Sequence, residues 1–361
     1  MSAPAISQSI QHSDEPRAIP PLLESKNAPA APSVVGQRFA NLDQWRGWAL
    51  VLVLVNHGFK WTGNVEGLGR VGVNLFFVIS GLLTAMSLLS LQRKGKNYIL
   101  GLIQKRAWRL IPTLLIFVTI YAVVRGFLGL GWAAPEYLKP FYMNYIVPEA
   151  GLGHLWSIAC EMHFYLLSPF LFWLGTKRRG GAAFLWMLFG VLCVFQGIHI
   201  LLRAGMLSGV SDTLNHLKFD YKYTTHVAVW PMLLGFLWYL HGLRFPGRID
   251  EFLSAHLTKL VVLAHVGIVV ALCLQDSYLT VLVSLFLIPV LLITFQNGRA
   301  VDGKPGATLV WIGQRTFSIY LFQQMLTLGL PGPEEWRPLG ALLAIPIGAL
   351  FYELVEKRFI R

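Results

Sequence analysis

Long apolar runs separated by short polar segments fill the chain from about residue 42 onward. An α-helix rises about 1.5 Å per residue, so about 20 apolar residues cross a hydrocarbon layer roughly 30 Å thick. At that length the pattern predicts ten spans, at about 42–59, 70–91, 109–129, 154–174, 182–203, 226–242, 257–275, 278–297, 309–330 and 338–355. The connecting segments alternate in basicity. Arg93, Lys94, Lys96, Lys105 and Arg106 follow the second span, Lys177, Arg178 and Arg179 the fourth, and Arg244 and Arg248 the sixth. Arg299 and Lys304 follow the eighth, and Lys357, Arg358 and Arg361 the tenth. Lys and Arg concentrate in the cytoplasmic loops of membrane proteins. The predicted fold is therefore all-α and polytopic in a membrane, with about ten transmembrane helices and both termini cytoplasmic.

Composition agrees, because 55% of the 361 residues are hydrophobic and only 13% are charged. The net charge of +12 would suggest nucleic acid in a soluble protein, but here the basic residues lie between apolar runs, where topology accounts for them. No nucleic-acid partner is expected. Residues 1–38, rich in Ala, Pro and Ser, read as a disordered cytoplasmic tail and not as a cleavable signal peptide, leaving 39–361 as the membrane domain. Cys160, Cys193 and Cys273 lie in predicted spans without metal-ligand spacing, so neither a disulfide framework nor a metal site is expected. Two outer segments are long, about 130–153 and 204–225, and such connections often cover a site. No internal repeat suggests a transporter built of two halves.

Four polar constellations interrupt the apolar pattern. Asp43, Arg46 and His57 lie on the first span; eleven helical residues bring Arg46 and His57 within about 20° of one face, about 16 Å apart, which predicts a shared cavity. His154, Ser157, Glu161, Tyr165 and Ser168 recur at three- and four-residue steps, forming one polar stripe on the fourth span. Serines there suit helix–helix hydrogen bonding, but an intramembrane carboxylate is costly without a partner. Glu161, about 10 Å below the outer end, is expected to pair with His57 and orient it as a general base. Lys105, Arg106 and Arg109 sit at the mouth of the third span, where they either set topology or bind an anion. The run Gly69–Gly81 reads as a tightly packed helix start.

Taken together these segments resemble the membrane-bound acyltransferase-3 family, whose members move acyl groups, often acetyl from acetyl-CoA, onto envelope sugars and other acceptors. The resemblance rests on Leu42-Asp43-Gln44-Trp45-Arg46-Gly47 through His57, on Gly72 to Gly81, on Arg106 to Pro112, on Trp156 to Tyr165, and on Ser318-Ile319-Tyr320-Leu321. The chain departs from the family pattern at Asn74, usually acidic; at Gln323, where a His commonly follows Tyr-Leu; and at Arg358, where a Pro commonly follows Glu-Lys. No Gly-Asp-Ser nucleophile follows the tenth span, so a fused esterase-like domain is not expected.

The resemblance implies an O-acyltransferase of the bacterial inner membrane that passes an acyl group from acyl-CoA to a hydroxyl of a carbohydrate or glycoconjugate. Arg106 and Arg109, with Arg46, would hold the CoA phosphates. His57 would serve as general base or transient acyl carrier, Glu161 would orient it, and Ser157 and Tyr165 would hydrogen-bond thioester or acceptor. The expected partners are acyl-CoA, the acceptor, membrane lipid and, in a homo-oligomer, further copies of the chain. Two rival classes remain open: a proton-coupled transporter using His57 and Glu161, and an inactive relative serving as a scaffold.

Overall fold

The structure, a computed structural model, describes residues 34–59, 67–131, 139–145, 151–178, 180–203, 224–244, 248–274 and 277–360. The expected tail therefore lies outside the described residues up to position 33, as does the long outer segment from 204 to 223. Among the described residues the secondary structure is helical throughout, with no strand. We label the long helices α1 (Val34–Gly58), α2 (Gly67–Arg93), α3 (Tyr98–Phe127), α4 (Leu155–Lys177) and α5 (Gly181–Arg203). After a short turn at Thr225–Ala228 come α6 (Trp230–Arg244), an amphipathic turn at Arg248–Ala255, α7 (Leu257–Leu274) and α8 (Ser277–Gln296). α9 (Gly303–Gln314) and α10 (Thr316–Gln324) lead through a π-helical turn, Met325–Gly329, to α11 (Arg337–Leu354) and a closing 3-10 turn, Glu356–Phe359.

Helical segments thus occupy every predicted span, with informative differences at their edges. α3 starts eleven residues early because the Asn97 side chain accepts from the backbone N–H groups of Ile99 and Leu100, both at 3.1 Å, and caps the helix there. Lys105, Arg106 and Arg109 consequently project from within the helix. The predicted span 309–330 is broken at Arg315, between α9 and α10.

Five helices of the described residues are long and apolar enough to cross a membrane: α2, α3, α4, α5 to Leu202, and the segment Glu334–Leu354. α4 explains how they pack. Leu166, Leu167 and Phe170 point outward, whereas Ser157, Phe164, Tyr165 and Ser168 are buried. An apolar exterior around a polar stripe is the arrangement lipid demands. The chain is a multi-pass membrane protein.

Close backbone approach holds the bundle together at glycines. A Cβ on Gly81 of α2 would collide with the Met232 carbonyl of α6, and one on Gly235 with the Val78 carbonyl of α2. Gly47 and Gly313 do the same between α1 and α9, meeting Leu309 and Asp43 backbone atoms. Small residues of this kind let helices associate where no hydrophobic effect drives them.

Candidate active site

Helices α1, α2, α3, α4 and α10, with Gly313 of α9, converge on one cavity. α1 brings Arg46, α2 brings Phe76, Phe77 and Ser80, α3 brings Arg106 and Arg109, α4 brings Ser157, Glu161 and Tyr165, and α10 brings Tyr320. Six of the seven residues singled out from the sequence as site candidates therefore line one space. His57 is the exception.

Charge is organised in pairs around this cavity. Arg46 Nη1 meets Asp43 Oδ1 at 3.0 Å, one helical turn away on α1. Arg109 Nη2 meets Glu356 Oε1 at 3.1 Å, and Ser318 donates to the other carboxylate oxygen of Glu356 at 2.7 Å. Glu356 is fully buried, so a residue in the closing 3-10 turn fixes a guanidinium on α3. Arg106 instead lies over the Tyr165 ring, 4.7 Å from its centroid. The Nε–H groups of both Arg106 and Arg109 are buried and lack a partner. Two unpartnered guanidinium donors beside a cavity are complementary to an anion.

Glu161 is held by hydroxyls. Tyr165, four residues on, donates to Glu161 Oε1 at 2.5 Å, and Ser80 of α2 donates to the same oxygen. The expected His57–Glu161 pair is not among these contacts. His57 is in the last turn of α1, where its Nδ1 lies 3.1 Å from the Val53 carbonyl. His57 does not line the cavity that holds Glu161. Glu161 lies two turns inside α4, whereas His57 is in the last turn of α1. Nor do Arg46 and His57 share the cavity as expected: Arg46 lines it from the middle of α1, whereas His57, eleven residues or about 16 Å further along, stands in the last turn and does not line it.

Two hydroxyls line the cavity beside His154. Ser157 Oγ and Tyr320 OH are 2.8 Å apart, and both donate to the His154 carbonyl, at 3.0 and 3.1 Å. The Tyr320 ring packs edge-on against His154, with centroids 5.2 Å apart, and against Phe76 on the cavity side. Neither His154 nor His57 lines the cavity. A carbonyl oxygen only accepts, so Nδ1 of His57 carries its hydrogen toward Val53 and neutral His57 has a bare Nε2, the form a general base requires.

A model of the acyltransferase-3 family, described as an acyltransferase domain, matches residues 39–350. The chain belongs to that family. It is 26% identical over 360 residues to a putative peptidoglycan O-acetyltransferase, YrhL, of Bacillus subtilis, an alignment covering 88% of this chain and 54% of YrhL. It is 26% identical over 182 residues to the O-acetyltransferase OatA of Staphylococcus aureus, covering 45% of this chain and 29% of that protein. With the peptidoglycan O-acetyltransferase OatA of Listeria monocytogenes it shares 30% identity over 167 residues, 38% of this chain and 25% of the relative. The chain therefore spans about half the length of YrhL and less than a third of either OatA.

Several residues of the site were not singled out as candidates from the sequence. Ser80 lay in a segment read only for packing, and Tyr320 entered through the resemblance alone. Glu356 pairs with a residue 247 positions away, a relation no local pattern signals. Among the described residues no group of three or more His, Cys, Asp or Glu is placed to hold a metal ion.

Proposed function

We propose that the chain is a membrane O-acyltransferase that moves an acyl group, acetyl by analogy with its relatives, from acyl-CoA to a hydroxyl of a carbohydrate acceptor. Peptidoglycan is the leading acceptor because it is the one named for YrhL and for the Listeria OatA. The observation that carries the reading is the lining of the cavity, where arginines with unpartnered N–H donors share one space with the hydroxyls of Ser157 and Tyr320; a histidine with a bare Nε2 ends α1.

In this reading Arg106 and Arg109, with Arg46, hold the donor's phosphates, and the cavity takes its thioester arm. The acyl carbonyl reaches the Ser157–Tyr320 pair, where one of the two hydroxyls turns from the His154 carbonyl to donate to the oxyanion and the other keeps its bond to that carbonyl. His57 Nε2 removes the proton from the acceptor hydroxyl, whose oxygen attacks the carbonyl carbon. The carbon–sulfur bond breaks, the thiolate leaves, and the proton on His57 returns to it, giving the ester and free CoA. Glu161, Ser80 and Tyr165 anchor the middle of α4 against α2 and shape the cavity. The proposed setting is the bacterial inner membrane, with ten spans, both termini cytoplasmic and the donor entering from the cytoplasm.

The test is transfer of labelled acetyl from acetyl-CoA to soluble peptidoglycan fragments by the purified protein in bilayers. His57→Ala is expected to lower kcat by about 10²- to 10⁴-fold. Unchanged turnover in that variant would remove the base from the scheme. Substrate movement across the bilayer without acyl transfer would favour a transporter.

A further inference from the structure

The lining of the cavity changes character along its helices. α2 turns Val73, Phe76, Phe77, Ser80 and Leu83 toward it, a three- and four-residue recurrence that keeps one helix face on the cavity for about 15 Å. Ser80 belongs to the charged section. It donates to Glu161, to which Tyr165 also donates, and Arg106 lies over the Tyr165 ring. One turn nearer the N-termini of α2 and α4, the lining residues Phe76, Phe77, Ser157 and Ile158 carry no charge. Ring contacts put both phenylalanines at the level of the two hydroxyls. Phe76 meets Tyr320 edge-on, with centroids 6.2 Å apart, and Tyr320 OH lies 2.8 Å from Ser157 Oγ. Phe77 meets Trp156, the neighbour of Ser157, edge-on at 5.9 Å. Val73 follows one turn further along α2.

These side chains have little slack behind them. Phe77 is 3% exposed, Val73 6% and Trp156 7%, and the Arg70 guanidinium stands 5.0 Å from the Trp156 ring centroid. Tyr320, against which Phe76 rests, donates to the His154 carbonyl and packs edge-on against the His154 ring. Close-packed interiors yield little to added volume, so a large group entering here has to displace buried aromatic rings. A small one does not. Hydrogen bonding at this level comes from Ser157 and Tyr320, while Val73, Phe76, Phe77 and Ile158 offer only hydrocarbon.

We propose that Val73, Phe76 and Phe77 select the acyl group, admitting acetyl and turning away longer chains. The inference rests on the acyl-transfer reading: with the donor's phosphates on Arg106 and Arg109 and its carbonyl at the Ser157–Tyr320 pair, the group attached to that carbonyl meets these three side chains. A methyl group packs against phenyl rings and asks for no hydrogen bond. Each further methylene has to find room among side chains already in contact, and one methylene in an apolar pocket is worth about 10- to 200-fold in kcat/KM. Butyryl carries two more than acetyl. Phe77 acts on chain length alone, because its ring rests on Trp156, whereas Phe76 also braces the hydroxyl-bearing ring of Tyr320.

The experiment measures kcat/KM for acetyl-, propionyl- and butyryl-CoA in transfer to soluble peptidoglycan fragments by the full chain in lipid nanodiscs. The wild type is expected to prefer acetyl to butyryl by at least about 100-fold. Phe77→Ala should raise kcat/KM for butyryl-CoA at least tenfold and shrink the acetyl-to-butyryl ratio by at least as much; Val73→Ala should move both the same way by less. Phe76→Ala should shrink the ratio and also lower kcat for every donor. Phe172→Leu changes a buried ring of α4 that does not line the cavity, and its ratio should match the wild type. A general loss of packing would not produce a gain with the longer donor. A wild type that takes butyryl as readily as acetyl would overturn the inference, as would an unchanged ratio in folded Phe77→Ala and Val73→Ala. If Phe77→Ala does not fold, Phe77→Leu and Val73→Ala carry the test. If the wild type transfers no acyl group, the transfer reading falls, and calorimetric binding of acetonyl-CoA and of its homologue with two more methylenes decides the pocket. Both thioethers keep a carbonyl and cannot transfer. At least tenfold weaker binding of the longer one, levelled in Phe77→Ala, supports the selection; equal binding of the two, or binding of neither, overturns it.

Discussion

Glu161 and Glu356 are both carboxylates inside an apolar bundle, and their surroundings give them different work. Glu356 is fully buried against Arg109, with Ser318 on its second oxygen. Breaking a fully buried ion pair costs roughly 3–5 kcal/mol, an upper bound here because Arg109 is 30% exposed. Glu356→Gln is expected to lower thermal stability in detergent and to raise KM for acetyl-CoA, since Arg109 loses the group that fixes it. Glu161 is held by two hydroxyls, and removing one leaves it under-satisfied. Tyr165→Phe and Ser80→Ala are each expected to cost about 1–3 kcal/mol in unfolding experiments, and their double variant should be non-additive because both bond the same oxygen. At this scale the sequence was legible for the residues that break an apolar pattern: Arg46, Arg106, Arg109, Ser157, Glu161 and Tyr165 all line the cavity. It was not legible for partners distant along the chain, so Glu161 was matched to His57 by type when its partners are Ser80 and Tyr165.

At the scale of helices, packing is decided by where a side chain would not fit. Gly81 on α2 faces the α6 backbone with no room for a Cβ, whereas Gly126 on α3 faces open space. Gly81→Ala is expected to destabilise the protein by about 1–3 kcal/mol through overpacking. Gly126→Ala should be neutral or stabilising by up to about 1 kcal/mol, from helix propensity alone. Parallel melting curves of the two variants check both signs. The run Gly69–Gly81 announced such packing because glycines inside an apolar helix have few other uses in a membrane. Helix ends were harder to read. The early start of α3 depends on a single cap by Asn97, and the break at Arg315 interrupts a run whose apolar character continues across it.

For the whole molecule, the alternation of basic segments predicts a testable topology. In a cysteine-free background, Cys at Lys94 and Lys357 is expected to react with an impermeant maleimide only when the cytoplasmic face is open, and Cys at Gly129 or Arg337 only from the other face. Labelling of Lys94→Cys and Lys357→Cys from opposite faces would refute the even number of spans. The helical positions themselves were legible because a membrane imposes one length and one polarity on each span. The position of His57 outside the cavity was not, since it depends on where each helix ends relative to its neighbours.

The pairing of charges around the cavity bears on how a ligand arrives. Arg46, Arg106 and Arg109 are balanced in formal charge by Asp43, Glu161 and Glu356, so the interior offers directed hydrogen bonds and little net field. An anion is then not drawn in from a distance by the cavity itself, because fields of neutral assemblies fall off within a few ångströms. Any long-range capture belongs to exposed groups such as Lys94 and Lys105. Association rates should therefore lose their dependence on ionic strength when those lysines are neutralised, and keep it when Arg106 is.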